Sequence, residues 1–138
     1  MGGGLAVDAV KVAVYLSGVG ADNVNCAAAH SFYNGLTSLG GHDAYHGNCV
    51  AFGTLVQLTL EGADKAEFED IQDFCLEVGL PITLSELGEF TDEEIHAISR
   101  NACVEGETIY NLARDVTPEE LYCAIIAADA LGKKRLEK

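Results

Sequence analysis

Between Val50 and Leu60 the chain reads apolar almost all the way around a helical wheel, with Ala51, Phe52, Leu55, Val56 and Leu58 spread over its faces. A helix of that kind has no side to give to water, so it belongs at the centre of an assembly with other helices packed around it. The rest of the sequence supplies the neighbours. The spacing predicts a first helix over about Leu5 to Leu16, stopped by Ser17-Gly18-Val19-Gly20, and a second over about Asn23 to Ser38, carrying Ala28, Phe32, Leu36 and Leu39 at three- and four-residue steps. The central helix begins near His46. A fourth starts at Asp64, read as an N-cap with Glu67 three residues on, carries the stripe Phe68, Ile71, Cys75 and Val78, and is stopped by Gly79 and Pro81.

Two later starts carry fuller punctuation. Thr91 with Glu94 makes a capping box, with Phe90 and Ile95 placed as a hydrophobic staple. Thr117 with Glu120 repeats it, adding Pro118 at the first helical position and Val116 with Leu121 as staple. No strand-like alternation of useful length, fixed-period repeat or low-complexity linker interrupts the pattern. The fold class expected is therefore all-α, a helical bundle in a single domain over residues 1–138.

Charge narrows the partners. Eight basic and 22 acidic residues give a net charge of -14, which repels phosphate backbones and anionic lipid heads, so neither nucleic acid nor membrane is expected as a partner. No apolar run reaches the roughly 20 residues of a membrane span, and the start does not read as a secretory signal, which points to the cytoplasm. Cys26, Cys49, Cys75, Cys103 and Cys123 are odd in number and widely spaced, without a Cys-x-x-Cys pair, so reduced, mostly buried thiols serving as core filler are expected.

Three of the four histidines fall in one stretch, His30, His42 and His46. His30 lies about 200° around its helix from Phe32, away from the apolar stripe and beside the small or polar Cys26, Ala27, Asn34 and Thr37. The segment Gly40 to Gly47 turns the chain and delivers His46 to the start of the central helix. Two imidazoles from neighbouring helices suit a divalent ion such as zinc, but a catalytic zinc needs three protein ligands, so two make an incomplete set. An isolated helical histidine is ordinarily a hydrogen-bonded structural residue. His42 and Asp43 read as turn polarity, and His96 beside the acidic run from Asp92 to Glu94 as part of a helix start. Gly18-Val19-Gly20 follows a helix rather than a strand, so it reads as a helix stop and not as a nucleotide-binding loop.

Several blocks together turn the reading of His30 and His46 toward metal. Ala27-Ala28-Ala29-His30, Asn34-Gly35-Leu36-Thr37, Tyr45-His46-Gly47 and Val50-Ala51-Phe52-Gly53-Thr54-Leu55 resemble the metal-binding region of the glycerol dehydrogenases, in the iron-type alcohol dehydrogenase superfamily. The similarity continues through Val78-Gly79-Leu80-Pro81-Ile82-Thr83-Leu84, Glu105-Gly106-Glu107-Thr108-Ile109-Tyr110-Asn111 and Ala127-Ala128-Asp129, nearly the whole chain.

That resemblance implies the C-terminal helical domain of such an enzyme, with His30 and His46 matching two ligands of a zinc ion that binds neighbouring hydroxyls of a small polyol such as glycerol. It also implies that NAD is bound by an N-terminal domain that these residues do not include, and that the third ligand, an aspartate, precedes them. Ala21 stands where the family places an aromatic residue, and Val24-Asn25 where it has a glycine pair. The chain is therefore expected to be inactive alone, working with a separately encoded NAD-binding half or as a homo-oligomer. The alternatives are a non-enzymatic helical interaction module that has lost the catalytic site, and a zinc site completed by a carboxylate from a second subunit.

Overall fold

The computed structural model describes residues 27–40, 46–103 and 116–137, with residues 27–30 described at the level of the helix backbone. Among the described residues five α-helices follow one another, α1 (Ala27–Thr37), α2 (His46–Glu61), α3 (Lys65–Val78), α4 (Asp92–Ala102) and α5 (Pro118–Leu136), with a 3-10 turn at Leu84–Glu86. The expected first helix, its Ser17 to Gly20 stop, Cys26, and the similarity block from Glu105 to Asn111 lie outside the described residues. The second helix expected from about Asn23 is described from Ala27 onward, and the central helix starts at His46 as its spacing predicts.

Packing answers the demand that α2 makes. From Cys49 to Leu58 every residue of α2 is buried, and α1, α5 and α3 all pack against it. Helix α4 in turn packs against both α1 and α5, so α1, α2, α5 and α4 form a closed ring of four with α3 attached to α2. Phe32, Leu36, Phe52, Leu55, Ile98, Leu121 and Ile125 are fully buried in one continuous core. Burying side chains of this size contributes about 1.5 to 3 kcal/mol each. Polar residues inside α2 satisfy themselves locally, Thr54 donating to the Val50 carbonyl at 2.8 Å and Thr59 to that of Leu55 at 2.9 Å.

Two helix seams are so close that only glycine fits. A Cβ on Gly35 of α1 would stand 2.5 Å from the Ile98 carbonyl oxygen of α4. One on Gly132 of α5 would stand 1.9 Å from the Ile82 carbonyl oxygen in the connector between α3 and α4. That connector is otherwise fixed by carboxylates. Glu86 Oε2 accepts from the Ile82 and Thr83 amides at 2.7 and 2.9 Å, and Asp129 Oδ1, from α5, accepts from the Leu84 amide at 2.9 Å.

Of the predicted caps and stops that fall on described residues, all but one form. Thr91 with Glu94 and Thr117 with Glu120 form reciprocal capping boxes, and Pro118 is the first residue of α5. Gly79 closes α3 in the left-handed conformation, φ 81°, letting the Leu80 amide reach back to the Cys75 carbonyl at 2.7 Å. Asp64 precedes α3 in the N-cap position, but its side chain makes no capping bond. The expected Asp64–Glu67 box is replaced by a cap in position only, at an exposed surface where water can satisfy the first amides.

Candidate metal centre

His46 is the first residue of α2, at its exposed end. Its ring meets the ring of Tyr33 edge-on, centroids 4.3 Å apart and planes at 83°. Tyr33 lies on α1 three residues after His30, and residues three apart on a helix are surface neighbours. The structure thereby brings His46 beside the turn of α1 that carries His30. Just inside that contact Phe32 packs on Phe52, centroids 5.5 Å apart, fixing α1 against α2 from the core side. On α1 the surface expected around His30 is seen at Asn34 and Thr37, both exposed.

His42 and Asp43 lie outside the described residues, as do Ala21, Val24 and Asn25. Among the described residues no three His, Cys, Asp or Glu side chains gather as a closed metal centre would. No helix among the described residues is long and apolar enough to cross a membrane.

His96 belongs to a different cluster. Its Nδ1 lies 2.9 Å from the Asp92 carbonyl oxygen and 3.4 Å from an Asp92 carboxylate oxygen, and its ring stacks on Tyr122 at 3.8 Å with planes 17° apart. Tyr122 donates its hydroxyl to the Asp92 carboxylate, and that bond holds the phenol above its usual range. The three side chains tie the start of α4 to α5, which extends the helix-start role expected for His96. Tyr122 was invisible to that reading because it sits on a helix thirty positions away, with no local pattern linking it to Asp92.

Cysteine behaviour divides. Burial pushes the Cys49 thiol up to about 11. Burial, with Glu86 adding, pushes Cys75 up to about 12, and burial, with Glu119 and Glu120 adding, pushes Cys103 up to about 11. These are inert core thiols. Cys123 is the exposed one among the described cysteines, in keeping with thiols expected to be mostly buried: position 123 falls on the outer face of α5, whose buried stripe is Leu121, Ala124, Ile125 and Ala128.

No family model matches the chain. Individual proteins do. It is 45% identical to a glycerol dehydrogenase of Citrobacter freundii over 132 residues, 94% of this chain and 36% of the relative. To a glycerol dehydrogenase of Pseudomonas putida it is 46% identical, covering 93% of this chain and 36% of the relative. The chain is homologous to one part of the glycerol dehydrogenases. The crystal structure of glycerol dehydrogenase from Schizosaccharomyces pombe superposes with a TM-score of 0.75 at 37% identity, covering 80% of this chain and 30% of that one. That of a probable glycerol dehydrogenase from Sinorhizobium meliloti 1021 gives 0.72 at 39%, covering 78% and 31%. The fold is that of the all-α C-terminal domain of these enzymes. The chain spans about a third of the length of the glycerol dehydrogenases it matches.

Proposed function

We propose that the chain is a metal-binding portion of a glycerol-dehydrogenase-like oxidoreductase, forming one domain, with His30 and His46 as two ligands of a zinc ion. The observation that carries this reading is the placement of His46 against Tyr33, beside the turn of α1 that holds His30, in a chain 45% identical to a glycerol dehydrogenase over 94% of its length. A zinc ion held by His30 and His46 with a third ligand would supply Lewis acidity to a hydroxyl of a small polyol, with NAD as the hydride acceptor. This chain's own part is to hold the two imidazoles at fixed positions on α1 and α2. A third ligand and the NAD site come from another domain or a partner chain, in the cytoplasm, and the chain by itself does not turn over.

Zinc retention after dialysis, with the melting temperature followed in parallel, tests the ligand assignment. Zinc is expected to raise the melting temperature of the chain, and His30→Ala or His46→Ala to weaken retention about tenfold or more. Zinc held equally well by the double variant would sink the assignment. NAD-linked glycerol oxidation by the purified chain is expected to be undetectable, and substantial turnover would refute the incomplete-site reading.

The second reading, a helical association module without chemistry, is favoured by the exposed Phe74 and Leu76 on α3 and Ile126, Leu131 and Leu136 on α5. Light scattering distinguishes the two: an oligomer that forms identically with and without chelator, in a chain that retains no zinc, supports the module.

A further inference from the structure

At the far end of α2 from His46, roughly 18 Å along the axis at 1.5 Å per residue, the chain encloses a second polar feature. A cavity of about 340 Å³ opens between the end of α2, α3 and α5. That volume lies within the roughly 300 to 1,000 Å³ of small-molecule sites. Leu58, Phe68 and Leu131 give it an apolar lining.

Gln72 of α3 also lines it. This side chain is only 2% exposed, and its Nε2 has no hydrogen-bond partner among the described residues. A buried amide donor left unpaired destabilises a fold, and because Gln72 lines the cavity, turning its terminal amide presents that donor to an acceptor inside.

The charge around the cavity reverses that of the molecule. In a chain of net charge -14, three of its eight basic residues, Lys65, Lys134 and Arg135, line this one space against a single lining carboxylate, Glu69. Arg135 is engaged by α3, through Asp73 and through Glu69 at 3.3 Å, and so ties α5 to α3 as a wall. Lys65 and Lys134 are exposed, free to swing toward an anion.

We propose that this cavity binds a small organic anion, a carboxylate carrying a short hydrocarbon body. A carboxylate oxygen accepts the Gln72 Nε2 hydrogen, Lys65 and Lys134 favour its charge, and the hydrocarbon covers Leu58, Phe68 and Leu131. The proposal is independent of any role of His30 and His46.

Hexanoate is a suitable probe, with hexanol lacking the charge and acetate lacking the body. Titration into the ¹⁵N-labelled chain is expected to shift the Gln72 side-chain amide resonances saturably, with hexanol and acetate each binding at least about tenfold more weakly. Gln72→Leu removes the donor while keeping the volume. It is expected to raise the melting temperature of the unliganded chain and to weaken hexanoate about tenfold. Lys65→Gln with Lys134→Gln, both at exposed positions, is expected to weaken hexanoate while leaving the melting temperature within a degree or two. The proposal is overturned if the Gln72 amide resonances stay fixed at tens of millimolar hexanoate, if hexanol binds as well as hexanoate, or if Gln72→Leu lowers the melting temperature of the free chain.

Discussion

Where α1 meets α2, the contact consists of rings: Phe32 on Phe52 in the core and Tyr33 on His46 at the rim. Where the connector from Leu80 to Leu87 crosses α5, it consists of amides pointing at carboxylates, Glu86 from within and Asp129 from across, with Gly132 removing the last obstacle. Ring contacts are strong in sum and weak in direction. Amide-to-carboxylate bonds fix register, because a shift of one residue leaves a buried donor unpaired. The molecule therefore has one seam that resists separation and another that resists sliding.

Substitutions can break this contrast. Phe32→Ala is expected to cost about 4 kcal/mol in urea unfolding, because it empties the fully buried centre of the α1–α2 seam. A loss under about 1 kcal/mol would mean that the rings do not carry the seam. Gly132→Ala is expected next, at about 3 kcal/mol, since its methyl group meets backbone rather than a yielding side chain, and any gain in helix propensity is smaller. Its neutrality would show that the connector can lift off α5 freely.

Asp129→Ala is expected to cost about 2 kcal/mol by stranding the Leu84 amide. Asp129→Asn, which keeps an acceptor in place, should recover most of that. Equal losses for the two variants would shift the explanation to the ion pair with Lys133, 3.0 Å away and largely exposed on the lysine side.

A last test turns on pH and concerns the buried core thiols. Cys49 and Cys103 are held up to about 11 and Cys75 to about 12, against an ordinary value of 9.0. Above pH 9 the unfolded chain gives up protons that the folded chain retains. Stability is thus full below pH 9 and is lost as pH rises through 11. Tyr122, raised by its bond to Asp92, works in the same direction. Urea midpoints are expected to fall between pH 8 and pH 10.5, and a flat profile would contradict burial of these groups. Iodoacetamide should label Cys123 in the native chain while Cys49, Cys75 and Cys103 wait for unfolding.

Local signals were the legible ones. The beginning of α2 at His46, the Gly79 stop and both threonine capping boxes follow from residues within four positions of one another, and the all-round apolar run placed α2 at the centre. What escaped was held across the chain. Asp129 stands in an alanine-rich block and caps an amide 45 positions earlier, Gly132 matters only because the Ile82 carbonyl lies against it, and Gln72 looks like any surface polar residue until the cavity beside it is seen. The turn at Leu84–Glu86 was hidden because its box, Thr83 with Glu86, precedes a helix too short to show a period. At the candidate metal centre, the family resemblance picked out His46, while its aromatic partner Tyr33 emerged only with the packing of α1 on α2.

Enclosure of α2 from Cys49 to Leu58 leaves the flanks of that rod without any approach for a dissolved ion or metabolite. Only its two tips reach solvent, one carrying an imidazole and the other bordering a lysine-rimmed hollow. Whatever docks at either tip meets the same rod, gripped along its sides by α1, α3 and α5.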